Sequence, residues 1–402
     1  MSALPSGAPL LPLVVSRLFP SARGPGNRGG IWIQGVSVGE VEVALTLADL
    51  LASLEPGLPL LLTSTTPAGV GLLSRRRPGA WRPFPLDVPS SVRRFFDASE
   101  PRLLILVETE LWPVVLGEAR RRGTPVLVVN ARLSQRSARR YRRIARLFGG
   151  SWDALTQVLA RTREDAIRFE EIGVPPSRVT VGGDLKFDRA PAPEPPFAGR
   201  LRRLADGRPT LVAGSIAESE IPLVLEVQRW LGKSLPGVFL VLAPRQPDAF
   251  DAAERLARAE GLRVVRRSRL NAAEEECADV FLLDSVGELA GTYTLGEAAL
   301  LGGSFAPKGG HNVLEPLRAG APVVHGPSTG NIRSALDAAE GAVFAAADAR
   351  SAADVLRPLL TDPGTRARAS AIARDLFAGH AGAARTAAEA ALQLARSGAP
   401  AA

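Results

Sequence analysis

The sequence predicts an α/β protein built from two Rossmann-like domains facing across a cleft, and three features carry that expectation. The chain has 402 residues, too long for one compact core and suited to two domains of ordinary size. In each half, short continuous apolar runs alternate with helical patterns, as a parallel sheet covered on both faces requires. Between the halves lies "RAPAPEPPFAGR", Arg189 to Arg200, rich in proline and without periodicity, which is the composition of a linker.

From Ile31 to about Asp188 the alternation reads "IWIQGVS" then "VEVALTLADLLASL", "LPLLLTST" then a glycine-containing helix, "RLLILVE" then "LWPVVLGEARRRG", and "PVLVVNA" then "YRRIARLF". The second half repeats it with "PTLVAGS", "VFLVLAP", "LRVVRRS", "DVFLLDS", "AALLGGS" and "APVVHGP". The expected division is residues 1–188, a linker over 189–200, a second domain over 201–380, and a closing segment 381–402 whose Ala-rich helix crosses back to the first domain. Two such domains place a ligand in the cleft between them, at the carboxyl ends of the strands.

A hydrophobic fraction of 46% with 22% charged residues is that of a soluble globular protein. The net charge of +8, carried mainly by arginine, fits a polyanionic partner or simply an Arg-rich proteome. Aromatics are only 5% and no recognised module is present, so a nucleic-acid partner is not expected. The single cysteine, Cys277, excludes an internal disulfide framework, and three histidines make a metal site improbable. The N-terminal "LPSGAPLLPLVVSRLF" has an apolar core near Leu10 to Val15, shorter than the roughly 20 residues that span a bilayer. It lacks a basic n-region and a cleavage site, and reads as a stub that touches a membrane surface or packs as a helix.

The strongest local constellation is "GGSFAPKGGHNVLEPLRAGAPVVHGP", Gly302 to Pro327. A glycine pair ends an apolar strand, Lys308 follows, and Gly309 and Gly310 are expected to open a helix whose N-terminal N–H groups hold a phosphate. Asn312 and Glu315, three apart, would then share one face near that end, Glu315 accepting from a ribose hydroxyl and Asn312 binding a phosphate or sugar oxygen. The alternative is an ordinary strand, glycine turn and capped helix. Arg245 in "LAPRQPDAF" sits past a strand end, where a guanidinium suits phosphate. Gly214 and Ser215 in "AGSIAESE" end another strand before an acidic helix start, which is also what a simple cap looks like. In the first half, "LILVETELWP" delivers Glu108 and Glu110 at a strand end, on one side of the strand if it continues. Clustered carboxylates beside a buried segment raise a pKa and suit proton transfer. Glu40 in "WIQGVSVGEVEVALTLADLL" stands at the first turn of a helix, where the dipole favours its ionised form.

In this order, "VSVGE", "TSTTPAG", "FPLDVPSSVRRFF", "ETELWP", "VNARLSQRSARRY", "GGDLKFD", "GEL" and "GGSFAPKGGHNVLEP" resemble the bacterial 3-deoxy-D-manno-octulosonic acid (Kdo) transferases over roughly residues 31 to 335. The resemblance implies the two-Rossmann GT-B architecture, no cofactor and no bound metal. It implies an inverting transfer of Kdo from CMP-Kdo to a lipid A precursor in lipopolysaccharide synthesis, at the cytoplasmic face of the inner membrane. Carried over by position, Glu40 is the general base, and Glu108 and Glu110 are an acidic pair. Donor contacts fall on Ser215, Arg245, Gly287, Glu288, Ser304, Lys308, Gly309, Gly310, His311, Asn312 and Glu315. Acceptor or membrane contacts fall on Ser37, Gly39, Thr66, Arg132, Arg136 and Lys186, with Arg139 and Arg140 beside them facing an anionic leaflet. Asp184 is the alternative partner of Lys186. Two stretches depart from the family pattern: "IAES" stands where Thr-His-Glu-Gly is common, and Ala243 where a histidine often precedes Pro-Arg. A related transferase using another CMP- or UDP-activated sugar and a non-catalytic paralogue are the other readings, the latter requiring a lost base where Glu40 is present.

Overall fold

The structure, a computed structural model, describes residues 15–20, 28–147, 151–270 and 277–397. The chain divides into two compact units, Met1–Arg189 with His380–Ala402, and Ala190–Gly379.

The first unit holds seven parallel strands, β1 (Ile31–Gln34), β2 (Leu60–Ser64), β3 (Trp81–Pro83), β4 (Leu103–Val107), β5 (Val126–Ala131), β6 (Leu155–Ala160) and β7 (Val179–Val181). Their order is β3-β2-β1-β4-β5-β6-β7. β1, β2, β4 and β5 are buried at every position, which is why they read as mostly apolar runs with little alternation. Alternate residues feed opposite faces. Trp32, Leu104, Leu106 and Val128 pack with Phe84, Phe95 and Phe96 on one side. Ile33, Ile105, Val107 and Val129 pack with the helix Val38–Leu54 on the other. β3 and β7 lie at the sheet edges, where half-solvated residues such as Arg82 and Thr180 leave no apolar run to read.

The helix Ala383–Ser397 belongs to this unit and packs against Val38–Leu54 through Ala384, Ala387, Ala388 and Ala391. Asp188 holds its start: the carboxylate accepts from Gly382 N at 2.6 Å and Ala384 N at 2.8 Å. Residues 10–14 of the expected N-terminal stub lie outside the described residues. Its continuation is tied down by Arg17 Nε on the Phe84 carbonyl (2.9 Å) and Ser91 Oγ on that of Leu18 (2.7 Å), with Val15 and Phe19 exposed. Among the described residues no helix is long and apolar enough to cross a membrane.

The second unit repeats the plan with β8 (Thr210–Ile216), β9 (Phe239–Pro244), β10 (Val264–Arg266), β11 (Val280–Leu282), β12 (Ala298–Leu301), β13 (Val323–His325) and β14 (Val343–Ala345). All pair in parallel, in the order β10-β11-β9-β8-β12-β13-β14. Each sheet has one place where the chain leaves a strand to one side and returns on the other: β1 beside β4, and β8 beside β12. In open parallel sheets the loops leaving the strands on either side of such a reversal turn away from each other at the carboxyl ends, the usual place for a ligand crevice.

Asp188→Ala removes the acceptor for two N–H groups at the start of the Ala383–Ser397 helix. The expected loss is about 1 kcal/mol of stability, by analogy with a lost N-cap, read as a lower urea midpoint with an unchanged slope.

Candidate functional site

In the first unit the crevice is lined by the loops after β1, β2 and β4. Gly35 lets the chain turn back on the following helix, since a Cβ there would lie 2.9 Å from the Glu40 backbone. Ser37 caps that helix, its Oγ accepting from Glu40 N (3.3 Å) and donating to Glu40 Oε1 (2.8 Å), while Val36 N donates to Glu40 Oε2 (2.8 Å). Ser37 and Val36 thus hold both oxygens of the Glu40 carboxylate at the start of the helix. Thr66 and Ser64 support it from β2, both hydroxyls donating to the Val36 carbonyl at 2.7 and 2.9 Å. Thr66 also caps its own helix by accepting from Gly69 N (3.1 Å). Gly39 lies exposed in the first turn.

The helix start was expected to keep Glu40 ionised, and the balance differs. Burial raises its pKa above 4.5 more than the Val36 and Ser37 hydrogen bonds lower it, and the Glu108 charge adds to the rise.

Glu108 and Glu110 do not share a side of a continuing strand, because β4 stops at Val107 and Glu108 takes a left-handed backbone (φ 62°). The turn separates their roles. Glu108 Oε1 pairs with Lys186 Nζ at 2.8 Å. Glu110 Oε2 accepts from the Trp112 indole at 2.8 Å, and Trp112 leans on Phe84 with ring centres 5.3 Å apart. Burial, then the charges of Glu40 and Glu108, push the Glu110 pKa up to about 7 against the opposing Trp112 bond. Lys186 therefore reaches Glu108 with its ammonium, while Asp184 accepts from its backbone N–H (3.0 Å).

Two positioning residues escaped the sequence reading. Asp87 accepts from Val114 N (3.2 Å) and Val115 N (2.9 Å), anchoring the helix that follows "ETELWP". Asn130, fully buried at the end of β5 with φ 51°, accepts from Leu185 N at 2.9 Å and so sets the strap carrying Lys186. A polar residue inside the apolar run "VLVVNA" was the available signal. Arg132, Arg136 and Arg139 are exposed, and Arg140 lies over the Tyr141 ring at 5.1 Å. The Arg132 carbonyl accepts from the Thr109 hydroxyl, and Tyr141 Oη donates to the Thr109 carbonyl at 3.0 Å. The arginine-bearing helix Gln135–Leu147 is thereby tied to the loop of Glu108 and Glu110.

In the second unit the crevice between β8 and β12 holds the glycine-rich loop, and several expectations need correction. Gly309 and Gly310 do not open a helix: both are left-handed (φ 81° and 80°), and the helix is only Leu314–Arg318. Their N–H groups do not wait for phosphate either. Gly309 N donates to Ser328 Oγ (2.9 Å), Gly310 N to the Gly303 carbonyl (2.7 Å) and His311 N to that of Gly302 (3.1 Å). Asn312 precedes the helix; its Oδ1 accepts from Leu314 N (3.1 Å) and its Nδ2 donates to Glu315 Oε1 (2.9 Å). Ser304 is fully buried, its hydroxyl donating to the Leu301 carbonyl (2.5 Å) and accepting from Gly326 N (2.8 Å), so it stitches strands rather than facing a ligand. Ser215 is not a cap but a left-handed residue (φ 57°) inside β8.

The Ser215 carbonyl accepts from His311 Nδ1 at 2.7 Å. A carbonyl only accepts, so Nδ1 carries the hydrogen and Nε2 is left as an acceptor. Burial and the charges of Arg245 and Lys308 lower the His311 pKa below 6.5 against the opposing Ser215 bond and Glu220 charge, which favours the neutral ring. Arg245 and Lys308 are exposed cations beside that ring. Gly287 is left-handed (φ 94°), and Glu288 next to it takes a two-point bond from Arg267 (3.1 and 3.0 Å) and another from the Ser285 hydroxyl. Among the described residues no group of three His, Cys, Asp or Glu is arranged to hold a metal ion.

The family model of the 3-deoxy-D-manno-octulosonic-acid transferases (Kdo transferases) matches residues 15–189. The chain is 37% identical to the 3-deoxy-D-manno-octulosonic acid transferase of Bordetella pertussis, over 88% of this chain and 85% of that one. The chain belongs to the Kdo transferase family. A second Kdo transferase, from Haemophilus influenzae, is 34% identical over 75% of this chain and 71% of its own length. Among solved structures, a glycosyltransferase from Rickettsia africae superposes with a TM-score of 0.60 at 11% identity, covering 92% of this chain and 99% of that one. The fold is thus the GT-B class of α/β glycosyltransferases, and the crevices above are those of a Kdo transferase.

Glu110 holds its proton more tightly folded (about 7) than at its ordinary value of 4.5. Its contribution to stability is present in full below the lower value and is lost as pH rises through the upper one. Glu110→Gln, which cannot ionise, is expected to melt a few degrees above the unmodified protein at pH 8 and to lose that advantage at pH 5. Thermal melts at the two pH values check this, and a larger advantage at pH 5 counts against the assignment.

Proposed function

We propose that this Kdo transferase moves Kdo from CMP-Kdo to a hydroxyl of the lipid A precursor in one inverting displacement, with Glu40 as the base. The observation that carries the reading is the Glu40 carboxylate, seated at the β1/β4 crevice by Val36 N and Ser37 Oγ. The acceptor oxygen attacks the anomeric carbon of Kdo, the bond from that carbon to the phosphate oxygen breaks, and CMP leaves with the electron pair. The acceptor proton passes to Glu40. A base whose pKa is raised by burial is better matched to that transfer than an ordinary carboxylate, provided the working pH keeps it ionised. Glu108, already paired with Lys186, shapes the local field, and Glu110 holds or releases a proton near neutrality.

The second unit supplies the donor site in this reading. Charge on the departing phosphate needs fixed cations, and Arg245 and Lys308 beside the neutral His311 are suited to meet it. Glu315, held by Asn312, is the acceptor for a ribose hydroxyl. The exposed Arg132, Arg136 and Arg139 support contact with phosphates of the acceptor or with anionic headgroups at the cytoplasmic face of the inner membrane, as a peripheral association.

Purified protein incubated with CMP-Kdo and a lipid A precursor is expected to release CMP and yield an acceptor heavier by Kdo. Glu40→Gln is expected to lower the turnover rate at least about 10²-fold, the usual contribution of a positioned base. Absence of Kdo-bearing product from the unmodified protein overturns the reaction, whereas equal rates for both proteins overturn only the base.

A further inference from the structure

The loop leaving β12 is wrapped around an anion supplied by the chain itself. Glu220 is 3% exposed, and its carboxylate gathers four backbone N–H groups. Oε2 accepts from Ala217 N (2.9 Å) and Gly303 N (2.7 Å), and Oε1 from Phe305 N (2.9 Å) and Ala306 N (3.0 Å). Three of these four donors come from one short stretch after a strand at the strand-order reversal. Backbone N–H groups turned inward in that way form a concavity of the kind that binds phosphate in many doubly wound proteins. Here all three are committed.

The consequences run along the loop. Lys308 N bonds the Ala306 carbonyl (2.7 Å), Gly310 N the Gly303 carbonyl (2.7 Å), and His311 N the Gly302 carbonyl (3.1 Å). Gly302 is pressed so closely on β8 that a Cβ would lie 2.1 Å from the Ser215 oxygen. The segment that Glu220 grips therefore sets where Lys308 and His311 stand. A glutamine of the same shape turns one N–H₂ toward N–H donors, and alanine leaves four backbone donors without their partner.

We propose that Glu220 is a positioning residue, a resident anion that fills the Gly303–Ala306 concavity, bars the donor phosphate from it, and thereby sets Lys308 to receive that phosphate instead. The last clause rests on the reading that this unit holds CMP-Kdo; the occupancy by Glu220 does not.

Backbone amide spectra of the ¹⁵N-labelled full chain test the two parts separately. In E220A, formate or inorganic phosphate is expected to shift the amides of Gly303, Phe305 and Ala306 saturably, and in the unmodified protein to leave them unmoved. Calorimetry is expected to show CMP binding weakened at least about tenfold in both E220A and E220Q, the scale of one lost charge-assisted hydrogen bond, with formate restoring most of it in E220A only. Saturable phosphate shifts of those amides in the unmodified protein overturn the proposal, as does undiminished CMP affinity in E220A. Should neither variant fold, crystals of the unmodified protein grown with CMP and inorganic phosphate decide. A phosphate oxygen on Gly303 N, Phe305 N or Ala306 N overturns the proposal, and Glu220 retained there supports it. An unmodified protein that binds no CMP removes the donor reading while leaving the amide result to judge Glu220.

Discussion

The reversal of strand order between β1 and β4 is the constraint on which the chemistry of the first unit depends. Both strands end at the same edge of a parallel sheet, and each must pass into a helix on its own side. Their loops cannot pack against each other, so polar side chains fill the space, and here three are carboxylates. Buried near one another, three negative charges are unfavourable. The structure resolves this by giving each acid a different partner. Glu108 is balanced by the Lys186 ammonium, Glu110 carries a proton up to about pH 7 beside the Trp112 indole, and Glu40 takes the two hydrogen bonds that suit an anion. The raised pKa values of Glu40 and Glu110 are consequences of the topology before they are features of a mechanism.

The second unit meets the same reversal at β8 and β12 in the opposite way. Its loop is rich in glycine, so its backbone N–H groups rather than its side chains converge, and nearly all of them are satisfied from within. Ser328, Glu220 and the carbonyls of Gly302 and Gly303 take those hydrogens. Arg245 and Lys308 are left exposed there, and both charges act on the neutral His311 ring.

Much of this was legible in the sequence wherever a residue's environment follows from its neighbours. "IWIQ", "LLILV" and "VLVVNA" announce themselves because both faces of those strands are covered. β3, β7 and β14 do not, since their residues are partly solvated and alternate too briefly to be read. Glu40 was legible as a helix-start acid because Ser37, three residues earlier, makes the N-cap local. Its raised pKa was not, because burial by distant elements sets it. Glu108 and Glu110 would share a side only if the strand continued, and the left-handed Glu108 ends it. Gly309 and Gly310 were likewise taken as the opening of a helix that begins only at Leu314, because two successive left-handed residues serve a packed loop and cannot sit in a right-handed turn. Glu220 looks in sequence like one more acid near a helix start; the 83 residues separating it from Gly303 hide its function.

The stretch "LKFDR" shows how long-range ties make the first crevice rigid. Leu185 N is held by Asn130 at the end of β5, Lys186 by Glu108 after β4, and Asp188 by the start of the Ala383–Ser397 helix. Arg189 reaches Glu42 at 2.8 Å, on the same helix as Glu40 and two residues beyond it. Each bond is modest, and the last is partly exposed and so worth little alone. Together they connect four elements through five consecutive residues. The alanines of the final helix complete the arrangement from behind, because small side chains let it lie close along Val38–Leu54 and leave that helix little room to shift. The helix that carries Glu40 is therefore held by Arg189 and by the final alanine-rich helix, both far from it in sequence, as well as by the turn in which Glu40 sits.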